Sequence, residues 1–227
     1  AAIKAYLDDY AFLVWGFLEL YETTFFPDFL KKAVSLTEEM ITLFGDGERG
    51  GFFFTGHDAE ELIARPVEVS DGATPSGNSV AAHNLLRLAH FTGNNAYREL
   101  VFRQMRRFAK EVQRFPQGYT FFLAAWQFAF WPPQEIIVVG KRDDPATEAF
   151  LEILRGEFLP ASVVIFLPEG EEGAELMELA PFLQGYRSAD GKAAVYICED
   201  YSCRKPLNDP RELRRLIAAA AKGLLPL

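Results

Sequence analysis

The chain has 227 residues, of which 49% are hydrophobic and 14% aromatic, with 21 phenylalanines; that is enough apolar side chain for a sizeable core and too much for a disordered segment. Its 32 acidic and 23 basic side chains leave a formal charge of -9, which argues against nucleic acid or an anionic membrane as a partner. No apolar run approaches the roughly 18 residues of a membrane span, and Lys4, Asp8 and Asp9 interrupt the stretch where a signal peptide would be apolar. A cytoplasmic location is expected.

Residues 9–23 (Phe12, Leu13, Val14, Trp15, Phe17, Leu18, Leu20, Tyr21) are apolar around most of a helix, which predicts an inner, enclosed element. Residues 27–44 alternate Phe29, Leu30, Ala33, Val34, Met40 and Ile41 with Lys31, Lys32, Glu38 and Glu39, an outer helix with one wet face that opens on Pro27. A Gly-rich turn, 45–51, leads into the strand-like aromatic run Phe52, Phe53, Phe54 and Thr55, and a polar loop then extends to Pro75.

The order then repeats: 79–91 is almost wholly apolar, and 94–114 is amphipathic, with Val101, Met105, Phe108 and Val112 opposed to Arg103, Arg106, Arg107 and Lys110. Leu18, Leu20, Thr24 and Phe29 fall on Leu86, Leu88, Thr92 and Tyr97 at a constant offset of 68 residues. A third apolar helix, 119–130, meets Pro132 and Pro133 where an outer partner would follow. Enclosed and wetted helices in alternation predict a mainly α region, 1–132, forming a partial (α/α) toroid of helical hairpins.

Beyond it, residues 133–227 read as a small α/β subdomain. Strand 135–139, a helix from the Asp144 and Pro145 cap to about 158, and strand 163–167 predict a parallel βαβ unit. A weaker helix at 174–179, a strand at 194–198 and a helix at 210–222 capped by Asp209 complete it. The stretch 138–144 follows a strand as a nucleotide loop would, but lacks the G-x-G-x-x-G glycines.

In an α/α toroid the loops entering the inner helices gather at one mouth. Those loops carry Asp8, Asp9 and Tyr10, then Asp71, Ser76, Asn78 and Ser79, then Gln117 and Tyr119. Carboxylates, hydroxyls, an amide and aromatic rings suit a small sugar or polyol, with Asp9 and Asp71 as candidate acid and base and Tyr10, Ser76, Asn78 and Tyr119 as candidate binders. The same residues also suit plain structural roles: Asp8 and Asp9 as first-turn acids, Ser76 and Asn78 as caps, Asp71 before Gly72 as a turn pair. His57, beside Asp58, Glu60 and Glu61, is a candidate proton shuttle or a solvated loop histidine. His83 and His90 read as core-edge residues with hydrogen-bond partners. Cys198 and Cys203 form a redox pair only if their Cα atoms approach within about 7 Å, and otherwise read as structural thiols. No metal site and no cofactor is expected.

The run Asp71-Gly-Ala-Thr-Pro-Ser-Gly-Asn-Ser79 leading into Val80-Ala-Ala, with Asp9-Tyr-Ala-Phe-Leu13, Gly50-Gly-Phe-Phe-Phe54 and Tyr196-Ile-Cys-Glu-Asp-Tyr-Ser-Cys203, resembles the C-terminal portion of the YyaL or spermatogenesis-associated protein 20 family. The resemblance implies a six-hairpin, glycosidase-like toroid that follows an N-terminal thioredoxin-like domain. It implies a carbohydrate or polyol site with epimerase-like or hydrolase-like chemistry; the sugar epimerases with similar toroids use histidines. The alternative is a non-catalytic scaffold or interaction module serving the thioredoxin-like redox domain. The sequence begins without methionine and almost at once in helix-like residues, and two hairpins with a lone inner helix do not close a six-hairpin ring. The expectation is a piece of a longer protein, whose thioredoxin-like domain and remaining hairpins, or a second copy, cover an apolar flank.

Overall fold

The computed structural model describes residues 4–60, 63–131, 134–188, 191–199 and 201–221. Pro132, Pro133, Glu61, Asp200 and the predicted helix end at Lys222 lie outside the described residues. The chain divides into two compact units: Ala1–Tyr21 with Asp28–Phe130, and Glu22–Pro27 with Trp131–Leu227.

The first unit is helical, built from α1 (Leu7–Thr24), α2 (Pro27–Phe44), α3 (Gly77–Thr92), α4 (Asn95–Arg114) and α5 (Thr120–Phe130). Helix α3 is buried almost throughout its length, as its run of Val80, Ala81, Ala82, Leu85, Leu86, Leu88 and Ala89 dictates. Ser76 caps its start by accepting from Ser79 N at 3.2 Å, and Gly93, at φ 76, ends it in the left-handed conformation that glycine adopts without strain. Helix α4 buries Val101, Met105, Phe108 and Val112 and turns Arg103, Arg106 and Arg114 outward, while Arg107 pairs with Asp46 at 2.8 Å.

The helix directions follow from paired contacts. Asn84 Nδ2 donates to Ala11 O at 2.8 Å and, a turn further on, Arg87 meets Glu19, so α1 and α3 run parallel. His83 meets Phe121 and Phe128, and His90 meets Phe128, so α5 runs with them. Helices α2 and α4 run back: Phe17 stacks on Phe29 while Tyr10 meets Phe44, and Phe108 meets Phe122 while Phe102 meets Phe130. The three apolar helices thus share one direction and their amphipathic partners take the other.

Two expectations need correction here. Helix α1 is not enclosed on most sides: it buries one stripe, Leu7, Ala11, Val14, Leu18 and Tyr21, while Leu13 is 51% and Leu20 43% exposed. Its described neighbours in this unit pack on one side only, whereas α3 has α1, α4 and α5 around it. The Phe52 run is also not a strand. It forms the isolated bridges Gly45 to Phe52 and Tyr6 to Thr55, and its backbone reaches Phe44 O from Phe53 N, Pro66 O from Phe54 N and, from Phe54 O, Leu7 N. An apolar run flanked by Gly50 and Gly51, at φ 82 and 79, becomes a connector because those left-handed turns break a ladder.

In the second unit the sheet order is β2-β1-β3-β4, with β1 (Gln134–Gly140), β2 (Ser162–Pro168), β3 (Ala194–Glu199) and β4 (Ser202–Cys203). β1 pairs parallel with β2, and α6 (Pro145–Arg155) lies between them in the chain. Asp144 caps α6 through the N–H groups of Ala146 and Thr147. β3 pairs antiparallel with β1, so the sheet is mixed. The direction of β3 was not readable because a central strand buried at every residue, as β1 is, shows no alternation to distinguish the two pairings. Helices α7 (Glu171–Leu179) and α8 (Pro210–Ala221) complete the unit. Within it, Arg142 donates to the carbonyls of Thr24 and Phe25, the residues that end α1 and link it to α2, and pairs with Glu172. Among the described residues no helix is long and apolar enough to cross a membrane.

Candidate functional site

Parallel α1, α3 and α5 start at the same end of the helical unit, and side chains join those starts. Asp71 Oδ1 accepts from Ser76 N at 3.0 Å, ahead of α3, while Oδ2 accepts from Phe121 N at 2.8 Å and Phe122 N at 3.4 Å in the first turn of α5. The exposed N–H groups of a helix start are natural partners for a carboxylate. On the other side, α1 begins against α3: a Cβ on Gly77 would sit 2.2 Å from Asp8 Oδ1 and 2.9 Å from Leu7 Cγ, so only glycine allows this approach.

Beside these starts lies a cavity of about 190 Å³, lined by Asp8, Glu68, Ser70, Thr74, Ser76 and Asn78, with Leu7 and Phe54. That volume is below the range of about 300–1,000 Å³ typical for drug-sized ligands. Burial holds the Asp8 carboxyl above the usual carboxylate range; the N–H of Gly77 opposes the shift, and the charges of Asp9 and Glu68 add to it. A half-buried carboxyl that keeps its proton more readily than free aspartate can act as a proton donor as well as a hydrogen-bond partner.

Of the residues singled out from sequence, Asp8, Ser76 and Asn78 line this cavity, while Asp9, Asp71, His57, Tyr10 and Tyr119 lie outside its lining. Asp9 accepts from Tyr6 N at 2.8 Å as a helix cap. Tyr10 donates to Glu39 at 2.8 Å and packs on Phe44, its hydroxyl pushed up to about 12 by burial and by that carboxylate. Tyr119 sits at the entry to α5, where its carbonyl accepts from Leu123 N, and Gln117 is exposed on the turn before it. His57 is exposed, with Nδ1 3.3 Å from Leu43 O, beside Asp58, whose carboxylate pairs with Lys4 at 2.7 Å.

Asn78 lines the cavity with its polar atoms already engaged. Its Oδ1 accepts from Phe52 N at 2.8 Å and Gln104 Nε2 at 3.0 Å, and its Nδ2 donates to Phe52 O and Glu68 O, both at 2.8 Å. Asp8 and Glu68 are the carboxyls that the cavity uses. Asp8 was grouped with its neighbour Asp9 in the sequence, but consecutive helix positions point about 100° apart; Glu68 lies in a loop without periodicity, where nothing marked it.

The reading of His83 as hydrogen-bonded is corrected. Its Nδ1 is buried without a partner in the described structure, and the ring packs edgewise on Phe121 and Phe128; burial, with the nearby Arg87, lowers its pKa to about 4. It is a neutral core residue at ordinary pH. Of the two alternatives for the cysteines, a pair or structural thiols, the structure has the pair: a disulfide with Cα atoms 3.9 Å apart on facing positions of β3 and β4.

The residues define a helical-hairpin unit with a small polar cavity where its inner helices start, in one chain with a mixed α/β unit. Comparison with known proteins assigns the kinship. The chain is 34% identical over 215 residues to human spermatogenesis-associated protein 20 and 33% identical over 213 residues to its mouse counterpart, with 93% of this chain covered in both. It is also 31% identical over 221 residues, 94% of the chain, to uncharacterized protein B0495.5 of Caenorhabditis elegans. No protein-family profile matches. The chain spans about a quarter of the length of these relatives, 27% for the mammalian proteins and 28% for the worm protein. The chain belongs to the spermatogenesis-associated protein 20 family, corresponding to a C-terminal part of those proteins.

Proposed function

We propose that the helical unit is an arc of an (α/α) toroid whose mouth binds one monosaccharide or polyol unit, with Asp8 as the proton donor of any epimerase-like or hydrolase-like step. The observation that carries this reading is the cavity itself: a carboxyl raised by burial, a second carboxyl in Glu68, and the hydroxyls of Ser70, Thr74 and Ser76 around about 190 Å³. Vicinal hydroxyls are both donors and acceptors, and a lining that mixes carboxyl acceptors with serine and threonine hydroxyls matches them in both roles. Two carboxyls in one cavity also supply the acid and base that glycoside chemistry uses. Asp71 and Asp9 serve the site by fixing the helix starts around it.

The toroid part of the proposal is supported by the exposed stripe of α1. At the offset of 68 residues, Leu13, Gly16 and Leu20 correspond to Ala81, Asn84 and Leu88, which are fully buried, with Asn84 bonded to α1. The α3 stripe is covered by the preceding inner helix. The equivalent stripe on α1 is therefore the face that a further hairpin of a longer protein would cover, and the relatives are long enough to supply one.

Titration calorimetry with a panel of monosaccharides and alditols tests the site. At least one member is expected to bind, with affinity reduced about tenfold or more by Asp8→Asn or Ser76→Ala, the loss of one hydrogen bond to a charged or buried partner. Binding that both variants leave unchanged would place the ligand elsewhere.

A further inference from the structure

Cys198 and Cys203 are five residues apart and already face one another in the β3–β4 hairpin, where Arg204 N also bonds Ile197 O at 3.1 Å. A crosslink that closes so short a loop removes little freedom from the unfolded chain, so it adds less stability than a bridge between distant segments. The two sulfurs are also unequal: Cys198 is 1% exposed, whereas Cys203 lies on the exposed edge strand. Tyr186, 9% exposed, aims its hydroxyl between them, 3.0 Å from Cys203 Sγ and 3.4 Å from Cys198 Sγ.

A disulfide sulfur is a weak acceptor and gives a buried phenol little in return. A thiolate in the same place accepts a charge-assisted bond, roughly twice as strong as a neutral one. The hydroxyl therefore favours the reduced state over the oxidised one. Burial, the charge of Glu135 and the neighbouring Tyr196 all hold the Tyr186 phenol above its ordinary pKa, which keeps it a donor. Glu135 is fully buried on β1 directly opposite Cys198, in one row with both cysteines, and its Oε2 accepts from Tyr201 N at 3.3 Å in the hairpin turn. Tyr201 holds a left-handed φ of 61 there.

We propose that Cys198 and Cys203 are a reversible disulfide/dithiol couple whose reductant is an external dithiol, with Tyr186 holding the thiolate and Glu135 positioning the hairpin turn. The thiolate of the dithiol attacks the exposed Cys203 Sγ. A new sulfur–sulfur bond forms, the Cys198–Cys203 bond breaks, and its electron pair leaves on Cys198 Sγ, where the Tyr186 hydroxyl donates to it. The second sulfur of the reductant, as thiolate, then attacks its own partner in the mixed disulfide and expels Cys203 as thiolate. The reductant departs as a cyclic disulfide and two electrons pass to the protein; of the two protons the reductant loses, one passes through water to Cys203 Sγ and the other is released to solvent, so that Cys198 stays a thiolate against the Tyr186 hydroxyl.

The test is equilibration of the folded chain in mixtures of reduced and oxidised dithiothreitol, with thiols counted by alkylation and mass and the fold followed by circular dichroism. Both thiols are expected to appear together without loss of the fold. Tyr186→Phe should require about a tenfold higher ratio of reduced to oxidised dithiothreitol for half-reduction, while Tyr196→Phe, which removes a neighbouring hydroxyl bonded to Arg187 O instead, should match the wild type. Thiols that appear only on unfolding, or a Tyr186→Phe midpoint equal to that of the wild type, would overturn the proposal.

Discussion

Asn78→Ala is expected to destabilise the chain by about 3–5 kcal/mol, the largest effect of any single substitution near the cavity. The side chain is 1% exposed and makes four hydrogen bonds, two on each polar atom. Removing it leaves the N–H and C=O of Phe52 and the carbonyl of Glu68 to find new partners in a buried setting, and buried groups without partners each cost about 1–3 kcal/mol. It also frees Phe52 of the Gly50 to Phe54 connector from the Asn78 side chain, while Gln104 of α4 keeps its bond to the Asn78 main-chain carbonyl at 3.0 Å. Asn78→Asp tests the same point differently, since a carboxylate keeps the acceptor and loses both donor bonds. A urea midpoint shifted strongly downward in both variants checks the expectation; a midpoint within error of the wild type would show that the network is dispensable.

Asp71→Ala is expected to cost about 2–4 kcal/mol, for a different reason. One carboxylate accepts from the backbone ahead of α3 and from two N–H groups in the first turn of α5, so its loss uncaps α5 and separates two helix starts at once. Asp71→Asn keeps an acceptor and should recover about half of the loss. This pair of variants also separates the two roles that the sequence allowed for Asp71. A capping carboxylate moves the thermal midpoint of helical circular dichroism, whereas a catalytic one would leave stability nearly untouched.

The helical unit was readable because burial imposes a period. Residues 27–44 match α2 at both ends, and the alternation of Val101, Met105, Phe108 and Val112 with arginines located α4 to within a residue. What periodicity does not carry is the identity of the neighbours. The run of α1 is apolar around most of its helix, as that of α3 is, yet Leu13 and Leu20 are exposed, because enclosure depends on which helices lie alongside. For the same reason the strands β1, β2 and β3 were found while the direction of β3 was not.

The site was readable at the level of loops and not of atoms. Ser76 and Asn78 were marked by the Pro-Ser-Gly-Asn-Ser block, and both line the cavity. Asp8 and Asp9 are adjacent in sequence, but consecutive positions on a helix point about 100° apart; one faces Gly77 and the cavity while the other turns back to cap Tyr6. Glu68 reaches the cavity through the fold of the 56–75 loop. The cysteines stand five apart, a spacing compatible with free thiols or with a bridge, and only the two-residue strand β4 brings them face to face.

The central claim, that the joined helix starts of the helical unit bind a monosaccharide or polyol, is tested most directly by a crystal of the chain soaked with the tightest binder from the panel. The ligand should lie in the cavity with a hydroxyl within about 3.2 Å of an Asp8 carboxyl oxygen and another reaching the Ser70, Thr74 or Ser76 hydroxyls. A cavity that stays without sugar at saturating concentration, or density for the sugar only elsewhere on the chain, would contradict it.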